Sequence, residues 1–133
     1  MSAPCQFLPW DTDFFGFRIA RVNHNELTSE LMPEIDTWSQ GEAIQCLYLL
    51  ANIHDLATTH LAENHGFHFV DLRLTLAQKL PDSFKAEQSP LIRPFQPQDL
   101  PYLEAIARSS YTDSRFYYDP GFPRERCDEF YAT

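Results

Sequence analysis

The chain has 133 residues, of which 44% are hydrophobic and 22% charged, and these are the proportions of a folded globular protein. Its net charge of −9 at neutral pH disfavours contact with the phosphate backbone of nucleic acids. No stretch approaches the ~18 apolar residues of a membrane span, and the amino terminus lacks the pattern of a signal peptide, so we expect a cytoplasmic protein that does not insert into a membrane.

Cysteine and histidine spacing does not predict a metal or redox site. Cys5, Cys46 and Cys127 lie far apart and form no CxxC pair. The 5 histidines do not include two that are four residues apart on one helix with a carboxylate between them. We therefore expect no metal ligands in this chain.

The first elements are predicted to be two short strands separated by a helical turn. Residues 5–8 precede Pro9, and residues 18–22 alternate between apolar and polar types. Between them, Asp11 or Thr12 can cap a turn that Gly16 ends in the left-handed conformation. The four aromatic residues between positions 10 and 17 predict that this turn closes one end of the core.

A helix, a buried strand and a second helix are predicted next. An apolar face at positions 27, 31, 35 and 38, together with Pro33, predicts a helix that begins near Thr28 or Ser29 and ends at Gly41. Residues 44–51 are almost wholly apolar, which is typical of a central strand covered on both faces. Residues 55–65 predict a helix that ends before Gly66.

Two alternating stretches complete the predicted first domain. Residues 67–69 and 72–76 both alternate, but out of phase, which predicts strands joined by a bulge near residues 70–71. The order β-turn-β-α-β-α-β over residues 1–80 predicts an α/β domain with a mixed sheet of four or five strands.

A second segment follows a polar linker at residues 81–90. Residues 91–95 predict a new strand, and Pro97 with Asp99 predicts the first turn of a helix running to about Ser110. A loop containing Pro120 and Gly121 precedes a helix predicted from about Pro123 onward. Residues 91–133 therefore look like the incomplete start of a second domain.

Three stretches together carry a resemblance to a known family. Residues 10–16 (WDTDFFG) resemble the entry motif of dTDP-fucosamine and related nucleotide-sugar N-acetyltransferases. Residues 92–100 (IRPFQPQDL) look like the first strand and helix of the GNAT superfamily, and residues 114–120 (SRFYYDP) are similar to the Ser-Arg-Phe segment of the same sugar N-acetyltransferases. Their order and spacing match across nearly the whole chain.

The resemblance implies a fold and an activity. In that family an amino-terminal α/β domain precedes a GNAT domain, which transfers acetyl from acetyl-CoA to the amino group of a dTDP-linked amino sugar. This chain would supply a GNAT-like amino-terminal β-α-β-α-β domain, followed by the first strand and two helices of the GNAT fold. The expected function is therefore that of the amino-terminal portion of an N-acetyltransferase that is inactive alone.

Acetyl-CoA is expected for the complete family enzyme but not for this chain alone. The glycines at positions 16, 41, 66 and 121 are each isolated, so the family's Gly-containing pyrophosphate loop is missing. Residues 22–27 occupy the equivalent place in the first domain, but they contain no glycine and carry Glu26 where the anion would lie. The family's late catalytic tyrosine is also missing, so no residue here is assigned a catalytic role.

The candidate substrate-binding residues are Ser114, Arg115, Tyr117 and Tyr118. In the family the acceptor site lies around the first two helices, so Arg115 is a candidate for the substrate diphosphate through its guanidinium group. The other three residues are candidates for hydrogen bonding or stacking on sugar and thymine. The alternatives are that Arg115 pairs with a neighbouring aspartate and that the others cap a helix or pack inside the protein.

A second function stays open beside the enzyme. The chain could be a non-catalytic interaction module, or a remnant of such an enzyme, that dimerises through aromatic residues between positions 116 and 131. The possible partners are therefore a second copy, a complementing catalytic polypeptide and a nucleotide-sugar ligand.

Overall fold

The computed structural model describes residues 3–83 and 90–132. The chain divides into two compact units, Met1–Phe69 and Val70–Thr133. This division lies earlier in the sequence than the linker predicted at residues 81–90. Within that linker, residues 84–89 lie outside the described residues.

The described part of the first unit contains a three-stranded sheet with the order β1-β2-β3. Strand β1 is Cys5–Phe7, β2 is Ile19–Val22 and β3 is Cys46–Tyr48. Strand β2 pairs antiparallel with β1, with Val22 opposite Cys5, and parallel with β3, with Ile19 opposite Cys46. This small mixed sheet and the helices around it confirm the predicted mixed α/β class.

Three helices accompany the sheet in the described first unit: α1 (Pro9–Phe15), α2 (Leu31–Gly41) and α3 (Leu56–Asn64). The predicted end of α1 is confirmed, since Gly16 has a φ of 81° and its amide donates to the Thr12 carbonyl. Helix α2 also ends at the predicted Gly41, although the left-handed residue that follows it is Ala43, with a φ of 51°.

The core of the first unit lies where α2 and α3 meet the sheet. Its buried members include Val22 from β2, Met32 and Ile35 from α2, and Ala62 from α3. The predicted apolar face of α2 therefore points inward. In α1, Phe15 is buried, whereas Trp10 stacks on Phe14 at 5.2 Å and stays half exposed.

The prediction of a central strand at residues 44–51 is wrong. Strand β3 is shorter, is only half buried and lies at one end of the described sheet. The central position belongs to β2, in which Ile19 and Ala20 are completely buried. No strand in the described ranges flanks the other side of β3, because the strands predicted after α3 do not form.

The strands predicted at residues 67–69, 72–76 and 91–95 are also absent from the described structure. Their apolar side chains are largely exposed, with Phe69 at 83%, Leu76 at 91% and Leu91 at 93%. Alternation favours a strand, but a strand forms only when a neighbour accepts and donates its backbone hydrogen bonds. No strand forms beside these segments in the described ranges.

The regular elements in the described part of the second unit are all helical, and they begin at Pro97. A 3₁₀ turn at Pro97–Asp99 leads into α4 (Leu100–Ser110), and α5 (Arg115–Tyr118) and α6 (Arg124–Phe130) follow. The predicted starts near Pro97 and Pro123 and the predicted end near Ser110 are confirmed. No helix in the described ranges combines the length and apolar character that crossing a bilayer requires.

Candidate functional site

The four candidate residues lie together on one helical turn. Ser114 occupies the N-cap position of α5, and the amides of Tyr117 and Tyr118 donate to the Ser114 carbonyl at 2.9 and 3.2 Å. The Ser114 side chain does not cap the helix, and its Oγ atom is buried with no hydrogen-bond partner among the described residues.

Helix α5 is anchored by Phe116, which is 2% exposed. Its ring centroid lies 5.1 Å from that of Phe122 and 4.5 Å from that of Phe130. Its carbonyl accepts a hydrogen bond from the Cys127 Sγ atom at 3.3 Å. These contacts fix a helix of only 4 residues, which is too short to be stable by its own hydrogen bonds.

Tyr117 is held by α6. Its hydroxyl donates to Asp128 Oδ1 at 2.6 Å, and the Arg124 guanidinium lies 4.1 Å from the centre of its ring. Burial, the hydrogen bond to Asp128 and the charge of that carboxylate raise the pKa of Tyr117 to about 12, against an opposing effect of Arg124. Tyr117 is therefore a neutral hydrogen-bond donor that joins α5 to α6.

Arg115 and Tyr118 are the exposed candidates. The Arg115 guanidinium carbon lies 4.5 Å from the centre of the Phe116 ring, a cation–π contact, and Tyr118 is 60% exposed. The two neighbouring aspartates also have local donors, since Asp119 accepts from the Gly121 amide at 2.8 Å and Asp113 accepts from the Tyr118 hydroxyl at 3.5 Å.

This arrangement is suited to binding an anionic or aromatic ligand. A guanidinium group can hold a phosphate or carboxylate through two parallel hydrogen bonds, and an exposed phenol ring can stack on a base or a sugar face. In the described part of the chain, no three His, Cys, Asp or Glu side chains are placed to hold a metal ion.

The loop at residues 22–27 contains a backbone donor that is already used and a carboxylate. The Leu27 amide at its end donates to Thr58 Oγ1 at 2.7 Å, so this donor is already used inside the protein. The Glu26 carboxylate accepts from Asn52 Nδ2 at 2.9 Å and places negative charge just before α2. A phosphate site needs the opposite: free amides and no competing anion.

Sequence reasoning missed the two residues that hold Tyr117. Arg124 and Asp128 lie one turn apart on α6, and Asp128 is 11 residues from Tyr117 in the sequence. Residues 11 apart share a face of a continuous helix but lie about 16 Å apart along it, so periodicity does not predict this contact. The turn between α5 and α6 brings the two side chains together. The only signal available was a hydroxyl in the predicted loop after residue 110 and a carboxylate in the helix predicted from about Pro123 onward.

Comparison of this chain with protein-family models, with curated proteins and with solved structures gave no match. The fold and the candidate site thus define a mixed α/β chain with an exposed arginine and tyrosine on an anchored helical turn. Its function is inferred from these residues themselves.

Proposed function

We propose that this chain is the amino-terminal portion of a GNAT-type N-acetyltransferase for a nucleotide-linked amino sugar, and that it is inactive alone. In this proposal it supplies part of the acceptor-binding surface, and acetyl-CoA is bound by a further segment or a complementing polypeptide. The three motifs in residues 10–16, 92–100 and 114–120 support the family. None of the three cysteines, Cys5, Cys46 and Cys127, is in a disulfide, which suits a reducing, cytoplasmic environment.

The observation that carries the proposal is the fixed display of Arg115 and Tyr118 on α5. Phe116 is buried and Tyr117 is hydrogen-bonded to Asp128. Because these two residues are held in place, Arg115 before them and Tyr118 after them have a defined orientation. A preorganised cation and aromatic ring lower the entropic cost of binding a ligand that carries both a diphosphate and a base.

The motif at residues 92–100 also has ordered local structure, which its own hydrogen bonds provide. Arg93 donates to both carboxylate oxygens of Asp99, at 2.7 and 2.6 Å, and the Gln96 amide donates to the same carboxylate at 2.9 Å. This clasp joins residues 92–95 to the first turn of the following helix. It supports the interpretation of residues 92–100 as a strand-to-helix entry, although the strand itself is not formed.

Calorimetry on the full chain tests the proposal with two ligands, a dTDP-linked amino sugar and acetyl-CoA. We expect the sugar nucleotide to bind and acetyl-CoA not to bind. Arg115→Ala should weaken sugar-nucleotide binding by roughly 10- to 100-fold, which corresponds to losing a charge-assisted hydrogen bond. Arg115→Lys should recover only part of this loss, because a lysine cannot form the bidentate contact.

Arg126→Ala is the matched control. Arg126 is an exposed arginine on α6 that pairs with Glu129 at 2.9 Å, so its removal changes the net charge by the same amount and leaves the sequence of α5 unchanged. Equal weakening by Arg115→Ala and Arg126→Ala, or tight binding of acetyl-CoA to the wild-type chain, contradicts the proposal.

The alternative function is a non-catalytic interaction module, and α4 favours it. This helix buries none of its residues, and Leu100, Leu103 and Ile106 on it are 51%, 48% and 57% exposed. Surfaces of this kind mark sites of association. Self-association without binding of either ligand supports this alternative.

The contact surface first predicted for that module is wrong in its main members. Phe116 and Phe122 are buried, and Phe130 and Tyr131 are half buried against them. Their rings form the core between α5 and α6, so most of this aromatic surface is already occupied within the unit.

A further inference from the structure

Residues 70–76 have the pattern of a strand but no strand beside them in the described ranges. The three leucines at positions 72, 74 and 76 are 48%, 70% and 91% exposed. Two residues of opposite charge, Asp71 and Arg73, flank Leu72, and Thr75 lies between Leu74 and Leu76. A segment with this composition is stabilised when another strand pairs with it.

This segment is complementary to itself in the antiparallel direction. If two copies pair with Leu72 opposite Leu72, Asp71 lies opposite Arg73 and Val70 lies opposite Leu74. The two-fold axis repeats each pair, so the ladder contains two Asp71–Arg73 pairs on one face and only apolar residues on the other.

The charges select this register over its neighbours. Moving the two-fold axis to residue 71 places Asp71 opposite Asp71, and moving it to residue 73 places Arg73 opposite Arg73. Like charges directly opposite each other destabilise an antiparallel pair. An axis between two consecutive residues is not compatible with the ladder, because it would place side chains of opposite faces opposite each other.

The backbone is compatible with the same register. The Leu72 amide already donates to Asp71 Oδ1 at 2.7 Å. At a non-hydrogen-bonded position of an antiparallel ladder, that amide faces away from the partner strand, so this bond can remain. The main-chain groups of Asp71 and Arg73 make no hydrogen bond to another described residue, and in this register they face the partner.

We propose that this protein forms a two-fold symmetric dimer through an antiparallel ladder of residues 70–74, with reciprocal Asp71–Arg73 pairs between the copies. The strand that pairs with residues 70–74 is thus supplied by a second copy of the same chain. The proposal is independent of the proposed acetyltransferase function and of the α5 site.

Charge exchange tests the register, with sedimentation equilibrium of the full chain as the measurement. Asp71→Arg and Arg73→Asp each place like charges opposite each other twice per dimer. We expect each to raise the dimer Kd by about 10- to 30-fold. The double variant D71R/R73D restores opposite charges at both pairs and should return the Kd to within about threefold of the wild type.

Cysteine cross-linking tests the position of the axis. In the proposed register two Leu72 Cα atoms lie about 4.5 Å apart, which is within disulfide range. Leu72→Cys should therefore form a covalent dimer on mild oxidation. Leu76→Cys is the control, because Leu76 is more exposed but lies about 27 Å from its own copy in this ladder. The wild type measures any background from the native cysteines.

Four results would each overturn the proposal. In sedimentation, the first is a wild-type chain that stays monomeric at all accessible concentrations, and the second is single charge variants that dimerise as tightly as the wild type. The third is a double variant whose dimer Kd stays as high as that of the single variants. In cross-linking, the fourth is equal yield of covalent dimer at positions 72 and 76. Circular dichroism of each variant establishes that it is folded, and the double variant has the same composition as the wild type.

Discussion

The Thr58 hydroxyl accepts a 2.7 Å hydrogen bond from the Leu27 amide, 31 residues earlier in the chain. Thr58 is completely buried, and its hydroxyl also donates to the Asp55 carboxylate at the N-cap of α3. One side chain therefore joins the loop before α2 to the start of α3. The same bond removes the Leu27 amide from any role in binding a ligand.

Removing the Thr58 hydroxyl should destabilise the first unit more than removing its methyl group. Thr58→Val keeps the volume but leaves the buried Leu27 amide without an acceptor, so we expect a loss of about 2 kcal/mol. Thr58→Ser keeps the hydroxyl and should lose about 1 kcal/mol. Urea denaturation followed by tryptophan fluorescence measures both, since Trp10 and Trp38 lie in the first unit. A larger loss for Ser than for Val contradicts this account.

Two glycines at helix ends should respond to alanine with opposite signs. A Cβ atom at Gly16 or Gly41 meets nothing within 4 Å, so only the backbone conformation distinguishes the two positions. Gly16 has a φ of 81°, and Gly16→Ala should cost about 1–2 kcal/mol. Gly41 is the last residue of α2, and Gly41→Ala should stabilise by about 0.5–1 kcal/mol.

The same tryptophan-detected urea experiment compares these two variants directly. The difference in sign is the informative result, because both substitutions add one methyl group at an exposed site. No effect of Gly16→Ala contradicts the left-handed helix end assigned to residue 16, and destabilisation by Gly41→Ala contradicts the helical conformation assigned to residue 41.

All the helices except α5, whose residues were predicted to be a loop, could be predicted from the sequence because their signals are local. Gly16 after α1, Asp55 before α3 and Pro97 before α4 act on hydrogen bonds within a few residues of themselves. The ends of these helices could therefore be predicted without knowledge of the rest of the fold.

The strands and the site depended on distant residues and were predicted less well. Residues 72–76 have the alternation of a strand, but pairing is decided by which segment lies beside them, and no periodicity contains that information. The position of Arg115 and Tyr118 followed from a local motif, whereas the bond between Tyr117 and Asp128 required the geometry of the turn between two helices.

The hydrogen bond between Tyr117 and Asp128 should make the second unit sensitive to high pH. The pKa of Tyr117 is raised to about 12, mainly by burial and then by Asp128. An unfolded chain releases this proton near the ordinary pKa of about 10. The contribution of Tyr117 to stability is therefore complete below about pH 10 and is lost as the pH rises toward about 12.

Ultraviolet titration of the phenols, with Tyr117→Phe as the reference, identifies the signal of Tyr117. Asp128→Asn should lower the pKa of Tyr117 only part of the way toward its ordinary value, because burial remains. Thermal melts of wild type and Tyr117→Phe should converge between pH 10 and 12. A Tyr117 pKa that does not change in Asp128→Asn contradicts the assigned contact.

The clasp between Arg93 and Asp99 should set the ionisation of that carboxyl. The two hydrogen bonds from Arg93 hold the pKa of Asp99 below its ordinary value, and the Gln96 amide contributes in the same direction. Because the folded pKa is lowered, the clasp stabilises the chain above the ordinary carboxyl pKa and is lost as the pH falls through the lowered value. Carboxyl-carbon chemical shifts in a nuclear magnetic resonance titration report this pKa directly.

Substitution of Arg93 separates the effect of its guanidinium group on the pKa of Asp99 from the effect of the Gln96 amide. Arg93→Gln should raise the pKa of Asp99 most of the way to its ordinary value, with the remaining difference due to the Gln96 amide. Arg93→Lys should give an intermediate pKa, since an ammonium group supplies the charge without the bidentate geometry. Arg126→Gln breaks the pair with Glu129 instead and should leave Asp99 unchanged. If Arg93→Gln leaves the Asp99 pKa where it is in the wild type, the Gln96 amide and not the guanidinium group controls this carboxyl.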